Sequence, residues 1–305
     1  MAALLLKRLV HGLIVLWLVA TLTFLLLRVA PGGPFDSERK LPPEVIANLE
    51  AKYHLDEPVW RQYGRYLAGV VRGDFGPSYK YVDRGVAEII ADTLPTSTLL
   101  GALAIAFALA VAFPAGLAAA YYKNSPIDRL CLLFSTLGIS LPNFILGALL
   151  IWAIALQLGW VQAARWDRWS SAVLPAITLG AAPAAYLAAL LRSTLIETLG
   201  EDFIRTARAK GLSETRVVLK HALGHSLIPV LTVMGPVTAA LLTGSFVVEY
   251  VFAIPGMGRF FISAVTDRDY PLIMGVTLVY TALLVGANWV VDLLYGYVDP
   301  RIRAR

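Results

Sequence analysis

Cysteine is nearly absent: Cys131 stands alone in 305 residues, so no internal disulfide can form and no thiolate metal cluster can be built. Charge is scarce as well. Only 15% of residues are charged, while 58% are hydrophobic; soluble domains carry about 25% charged residues. No GxxxxGK(S/T) run occurs, so the chain cannot cradle ATP phosphates on a P-loop, and energy from ATP has to arrive through a partner. Within the apolar runs ionisable side chains are few. Glu249 and Asp292 are the main ones, each near a run boundary, which favours pairing with polar groups at a membrane surface over a proton or sodium relay. His221 and His225 stand at i and i+4, a spacing that can hold zinc, but Ala222 occupies the place of the glutamate such a helix needs. They read as solvated or interfacial histidines. No catalytic, cofactor-binding or metal-binding residue is assigned.

What is present is apolar length. A mean hydropathy of +0.67 places the chain among membrane proteins. Six stretches, near 9–30, 96–120, 130–156, 173–191, 229–252 and 272–295, reach the roughly 20 residues that cross a bilayer. The first follows Lys7 and Arg8 as a signal peptide would, but it is too long and no small-x-small cleavage site follows, so it is expected to stay as an anchor. Lys7 and Arg8, Lys123 and Arg129, the charged stretch between runs four and five, and Arg301, Arg303 and Arg305 alternate with short loops holding Arg165 and Arg168, or Arg259 and Arg268. Basic residues kept on the cytoplasmic side then predict that both termini are cytoplasmic. The same rule accounts for the net charge of +5, and no nucleic-acid partner is expected.

The expected fold class is thus an all-α membrane protein with six transmembrane helices. A first helix over 1–30 precedes an external cap over 31–95, and a membrane core over 96–300 carries a cytoplasmic loop over 193–228 and ends in a tail over 301–305. Pro114, Pro142, Pro183 and Pro236 fall inside apolar runs, where each removes a backbone donor. Runs such as GALAIAFALAVAFPAGLAAA supply small residues that let helices approach closely. Together these suit a packed bundle with two discrete arrangements.

Two segments outside the runs carry information. In the cap, two amphipathic helices are predicted around 43–53 and 58–71, and Val45, Leu49 and Tyr53 recur at helical spacing in the first. That stripe either packs the cap on the bundle or forms a docking surface or gate, and long structured loops favour the second reading. Between runs four and five, EDFIRTARAKGLSETRVVLKHALGHSLIP sets Arg205, Arg208, Lys210, Arg216 and Lys220 against Glu201, Asp202 and Glu214. A helix over 202–210 should end at Gly211 in a left-handed conformation, with Leu212 making the apolar contact that follows. Ser213 should then cap a second helix running towards Pro229. Tethered at both ends to the membrane, this helix-turn-helix lacks the freedom to reach a DNA groove. It suits a handle gripped by a cytoplasmic protein.

At these residues the chain resembles a known family. RTARAKGLSETRVVLKHALGHSLIPVL is similar to the coupling loop of ABC importer permeases. With RVAPGGPF, LPPEVIANLEAKYHLDEP, GDFGPSYKY, TGSFVVEYVFAIPGMGR, RDYPLIMGV and VDPRIR, the resemblance extends over nearly the whole chain to the OppB-type permease subunit of bacterial oligopeptide importers. It implies a plasma-membrane location and a homologous second permease of the OppC type. It also implies two cytoplasmic ATPase subunits of the OppD and OppF types, an external OppA-type peptide-binding protein, peptide cargo and surrounding lipid. The family's E-A-A-x-x-x-G falls on Arg205, Thr206, Ala207 and Gly211, of which Ala207 and Gly211 match. Glu201 lies one helical turn ahead, and Gly224 stands where the wider family ends its motif with proline. Glu201, Arg205, Thr206, Ala207, Arg208, Lys210, Gly211, Leu212 and Ser213 are accordingly the residues expected to meet the ATPase partner, with no residue assigned to the substrate pathway. The residues alone leave open an ion-coupled secondary transporter, which would work in vesicles without an ATPase, and a membrane-embedded hydrolase, which would turn over substrate as the purified chain.

Overall fold

The computed structural model describes residues 2–35, 42–81, 83–163, 166–242 and 246–298. Residues 36–41 of the cap, Arg165, residues 243–245 of TGSFVVEY, and Arg301, Arg303 and Arg305 lie outside them, as does the side chain of Asp292. Apart from an isolated bridge between Pro77 and Gly85, the regular structure of the described residues is helical. Five helical stretches are long and apolar enough to cross a membrane; four are Leu6–Val29, Val86–Tyr121, Trp169–Thr198 and Tyr270–Val290, and the fifth opens at Glu214.

The third expected span, over 130–156, is broken. Helix α5 (Pro126–Ser140) stops, and α6 (Asn143–Leu150), prolonged by π-helical turns over Ile151–Gln157, leaves at 109°. The apolar run over 130–156 therefore is not one straight helix, and Pro142 does not lie in a helix interior. The cause is local: a proline disfavours helical geometry in the residue before it. Leu141 is accordingly extended (φ −80°, ψ 121°), and Pro142 opens the next helix. Pro114, Pro183 and Pro236 do sit inside helices, and so does Pro229, through which α10 (Leu223–Leu242) runs without stopping.

The chain divides into two compact units. The first comprises residues 1–97 with 255–283. It holds α1 (Ala2–Val29), the cap helices α2 (Pro43–Lys52) and α3 (Val59–Val71), the start of α4 (Val86–Tyr121), α12 (Met257–Asp267) and the start of α13 (Tyr270–Val298). Both cap helices open directly after a proline, Pro42 and Pro58, whose extended geometry precedes the first turn. Helix α4 begins well ahead of the apolar run near residue 96, because Val86, Ile89 and Ile90 are buried in this unit. Asp269, immediately before α13, is fully buried and accepts from Ser78 Oγ and from the backbone N–H groups of Tyr79 (3.1 Å) and Leu272 (3.3 Å). This carboxylate thereby ties the GDFGPSYKY loop to the start of α13.

The second unit comprises residues 98–254 with 284–305. It contains most of α4, α5, α6, α7 (Val173–Thr198), α8 (Asp202–Ala209), α9 (Glu214–Arg216) with the π-helical turns Val217–Ala222, α10, and α11 (Phe246–Val251). Its core joins Leu100, Ala104, Leu174, Leu179, Leu241, Val248, Phe252 and Ile254. Helices approach one another through small residues, as the composition requires. A β-carbon on Gly180 would come within 2.6 Å of the Ala104 carbonyl oxygen, and one on Gly116 within 2.7 Å of that of Ala188. Close contact of this kind is what holds helices together where lipid removes the hydrophobic drive. Helices α5 and α7 are also joined by a buried ion pair, Asp128 with Arg192, whose second hydrogen bond, Nη2 to Oδ2, measures 2.8 Å.

Candidate functional site

The loop between α7 and α10 has the geometry its sequence calls for. Glu201 is extended (φ −70°, ψ 153°) at the entry of α8, and its carbonyl accepts from Ile204 and Arg205 N–H. Helix α8 is sharply two-faced. Ile204 and Ala207 are buried against Leu195, Val217, Val218 and Ala222, while Asp202, Arg205, Thr206, Arg208 and Lys210 are exposed. Gly211 adopts φ +76°. Its N–H donates to the Arg208 carbonyl at 2.9 Å and the Leu212 N–H to that of Ala207 at 3.5 Å. This pair of reverse bonds is the Schellman arrangement, whose usual companion is an apolar contact from the following residue. Leu212 supplies it, packing on the same cluster as Ala207.

Ser213 takes the extended conformation of a capping residue, but its hydroxyl makes no cap bond. The turn is closed instead by a double hydrogen bond from Arg208 to Glu214, at 2.6 and 3.1 Å. Glu214, in the first turn after Ser213, serves that bridge. The structure thus brings all nine expected residues into one solvent-facing elbow, with Ala207 and Leu212 turned inward and the others outward. Phe203, which the charge pattern did not single out, is 41% exposed on the same helix and lies 4.9 Å from the His225 ring. Its signal was available: an aromatic on an otherwise polar face.

The cap stripe divides. Tyr53 packs with Phe35 and Tyr79 at ring distances of 5.7 and 4.6 Å, Leu49 is half-buried, and Val45 is 41% exposed. Burial pushes the Tyr79 phenol up to about 12, with Arg28 pulling the other way. The stripe therefore anchors the cap at its Tyr53 end and leaves its Val45 end open. Sequence reasoning placed α3 but passed over Arg28 and the contacts that α3 makes with α1. Gln62 accepts from Arg28 Nη2, Tyr63 meets Thr21 at 2.6 Å, and Tyr66 stacks on Phe24 with 6.0 Å between ring centres. An arginine in the last turn of an apolar run was the available clue.

Comparison with known proteins gives the setting of these sites. Residues 112–304 match the family described as "Binding-protein-dependent transport system inner membrane component", and residues 1–102 match its N-terminal component. The chain is 45% identical over 299 residues to the oligopeptide transport system permease protein OppB of Haemophilus influenzae, covering 97% of this chain and 98% of that one. It is 45% identical over 285 residues to the dipeptide transport system permease protein DppB of Bacillus subtilis, covering 93% and 92%. The OppB protein of Escherichia coli is 40% identical over 98% of both chains. Among solved structures, an inward-facing MetNI methionine ABC transporter is similar in fold, with a TM-score of 0.55 at 18% identity over 69% of this chain and 96% of that one. An amino acid ABC transporter gives a TM-score of 0.56 at 16% identity, covering 68% and 94%. The two solved structures share the fold; it is the family match and the 45% identical permeases that set aside the ion-coupled alternative.

Proposed function

This chain belongs to the inner-membrane components of binding-protein-dependent transport systems, and from that premise we propose that it forms half of a translocation pathway for peptides. A homologous second permease forms the other half, and the chain itself performs no catalysis. Two cytoplasmic ATPase subunits, of the OppD and OppF types, grip the α8 elbow. An external OppA-type protein delivers cargo to the cap side, and both termini are cytoplasmic.

The observation that carries this reading is the elbow. Its inner face packs through Ile204, Ala207 and Leu212 on a cluster with Ala120 of α4, Leu195 of α7 and the π-helical turns Val217–Ala222, so a force applied to its outer face reaches α7 and the turns that lead into α10. A loosely hung loop would dissipate such a force. Two discrete arrangements of packed helices are what an element of this kind can bias. The π-helical turns over Val217–Ala222, immediately beyond the elbow, and Pro229 a little further on weaken the regular ladder of the helix that would have to move. Peptide cargo is supported by the names of the relatives, which include both oligopeptide and dipeptide permeases.

The test is co-purification of the tagged chain from native membranes. A second permease and two ATPase subunits should accompany it. Recovery of the chain alone, from membranes in which those proteins are present, would defeat the reading.

A further inference from the structure

Within the first unit, the outer end of α1 and the cap enclose a cavity of about 500 Å3, inside the size range of small-molecule sites. Its walls are cationic. Arg28, Lys52, Arg65 and Arg72 line it, Arg65 already paired with Glu57 at 2.7 Å, against one lining carboxylate, Asp74, which accepts from the Gly76 N–H at 2.9 Å. Two polar atoms of the lining residues are buried with no hydrogen-bond partner among the described residues, Arg28 Nη1 and Tyr66 Oη. Arg28 spends its other terminal nitrogen on Gln62 and sits 4.6 Å from the centre of the Phe24 ring. Buried donors of this kind are costly to leave unmade, and a guanidinium N–H or a phenol O–H suits the oxygens of an anion.

The depth of the cavity narrows the choice of anion. Arg28 lies in the last turn of the membrane-crossing stretch Leu6–Val29. Tyr63 of α3 reaches Thr21, which is about 10 Å further down the same helix at 1.5 Å per residue. Helix α3 therefore lies beside the end of the span, not above it. Its exposed side chains agree: Trp60 is 69% exposed, Val59 49% and Val71 87%, with Arg61 stacked on Trp60. An apolar, aromatic and basic surface of this kind suits a helix lying in the headgroup layer.

We propose that this cavity binds the phosphate headgroup of an anionic outer-leaflet lipid, with Arg28 Nη1 and Tyr66 Oη donating to the phosphate oxygens and Lys52 and Arg72 favouring the added charge. The assignment of the leaflet rests on the reading of the cap as external. A bound headgroup would join the cap to the first span and supply both missing acceptors.

The experiment uses the full chain purified in detergent, with retention of phosphatidylglycerol compared with phosphatidylcholine by native mass spectrometry. Phosphatidylglycerol should be held about tenfold more tightly, because phosphatidylcholine carries the same phosphate but adds a trimethylammonium that Arg28, Lys52 and Arg72 repel. Arg28→Gln should lose that preference, Tyr66→Phe should weaken retention of both lipids by a few fold, and Arg61→Gln should change neither. Tyr66→Phe keeps the ring and tests the site even where Arg28→Gln disturbs folding, and thermal unfolding in detergent checks both. Equal retention of the two lipids, or no effect of either lining variant, would overturn the proposal. Displacement by glycerol phosphate at equal concentration would overturn the lipid assignment in favour of a soluble phosphate, and displacement by an acidic peptide alone would do so in favour of cargo. Because binding is read in detergent, it does not depend on topology. Labelling of Ala51→Cys from the cytoplasmic side, in a Cys131→Ser chain with binding intact, would refute the external cap and the leaflet without touching the site.

Discussion

Gly211 shows how little a single residue has to cost to matter. A β-carbon there would meet nothing within 4 Å, so the whole penalty of substitution comes from the backbone, held at φ +76°. That penalty is about 1 kcal/mol for alanine and more for a branched side chain, small beside the stability of the fold. On the proposed reading the elbow fits a partner's groove, and a misdirected α8 would lose contacts across that interface. Gly211→Val should therefore insert at near-normal amounts while transport is lost, as measured by peptide uptake in membranes shown by immunoblot to contain every subunit. Gly211→Ala should be milder. Leu212→Asp should resemble the valine variant, because it places a carboxylate on the cluster formed by Ile204, Ala207 and Val217. Lys220→Gln, a change at an exposed position, should leave uptake unaltered. Normal uptake by Gly211→Val would make the turn a mere connector. Gly211 and the apolar contact of Leu212 were legible because turn chemistry is local; Ala207, expected to meet the ATPase partner, is instead buried on the inner face. The Arg208–Glu214 bridge was not legible, since both residues read only as members of a charged stretch, and Ser213 offered itself as the cap in their place.

At the scale of the helix, the pairing of α5 with α7 deserves a test of its own. Asp128 and Arg192 retain only 3% and 19% side-chain exposure, and Asp128 also accepts from the Asn124 N–H at 2.8 Å. A pair shielded in this way is costly to break on one side, because the remaining charge is left without a partner. Asp128→Ala or Arg192→Ala alone should cost about 1–3 kcal/mol, and the double variant less than the sum, as read from unfolding of the detergent-solubilised chain. Additive losses would show that the two side chains do not act together. Neither residue was singled out from sequence, because an ion pair between segments some sixty residues apart leaves no local pattern. The break between α5 and α6 was partly visible. Pro142 was there to be read, but the apolar run around it is continuous, and hydropathy records length without direction. The cap helices, by contrast, were placed almost to the residue. Pro42 and Pro58 announce their starts, and their amphipathic spacing marks their extent.

For the whole molecule, the division into two units separates the two ends of the proposed work. The cap belongs to the unit of residues 1–97 and 255–283, and the elbow to the unit of 98–254 and 284–305. Single cysteines in a Cys131→Ser chain should show this as topology: Ala51→Cys should react with an impermeant maleimide added outside, and Ser213→Cys only after the cytoplasmic side is opened. Both positions are exposed, so accessibility is not the obstacle. Labelling of both from one side would overturn the arrangement inferred from the alternation of basic loops. The same division predicts that damage at one end spares attachment at the other. Deleting 43–71 is too blunt a test, since it would strip Tyr63 and Tyr66 from Phe24, which is 1% exposed in the intact chain. Val45 serves better, because it lies at the open end of α2, away from the Tyr53 aromatic cluster. A photoreactive group on Val45→Cys should cross-link to the external binding protein, and no such product should form when that protein is omitted. Val45→Glu should slow uptake several-fold while the ATPase subunits still co-purify, since nothing in the elbow has changed. Should Val45→Glu instead release the ATPase subunits and leave the external cross-link intact, the cap would be a support for folding, and delivery would have to enter through another surface.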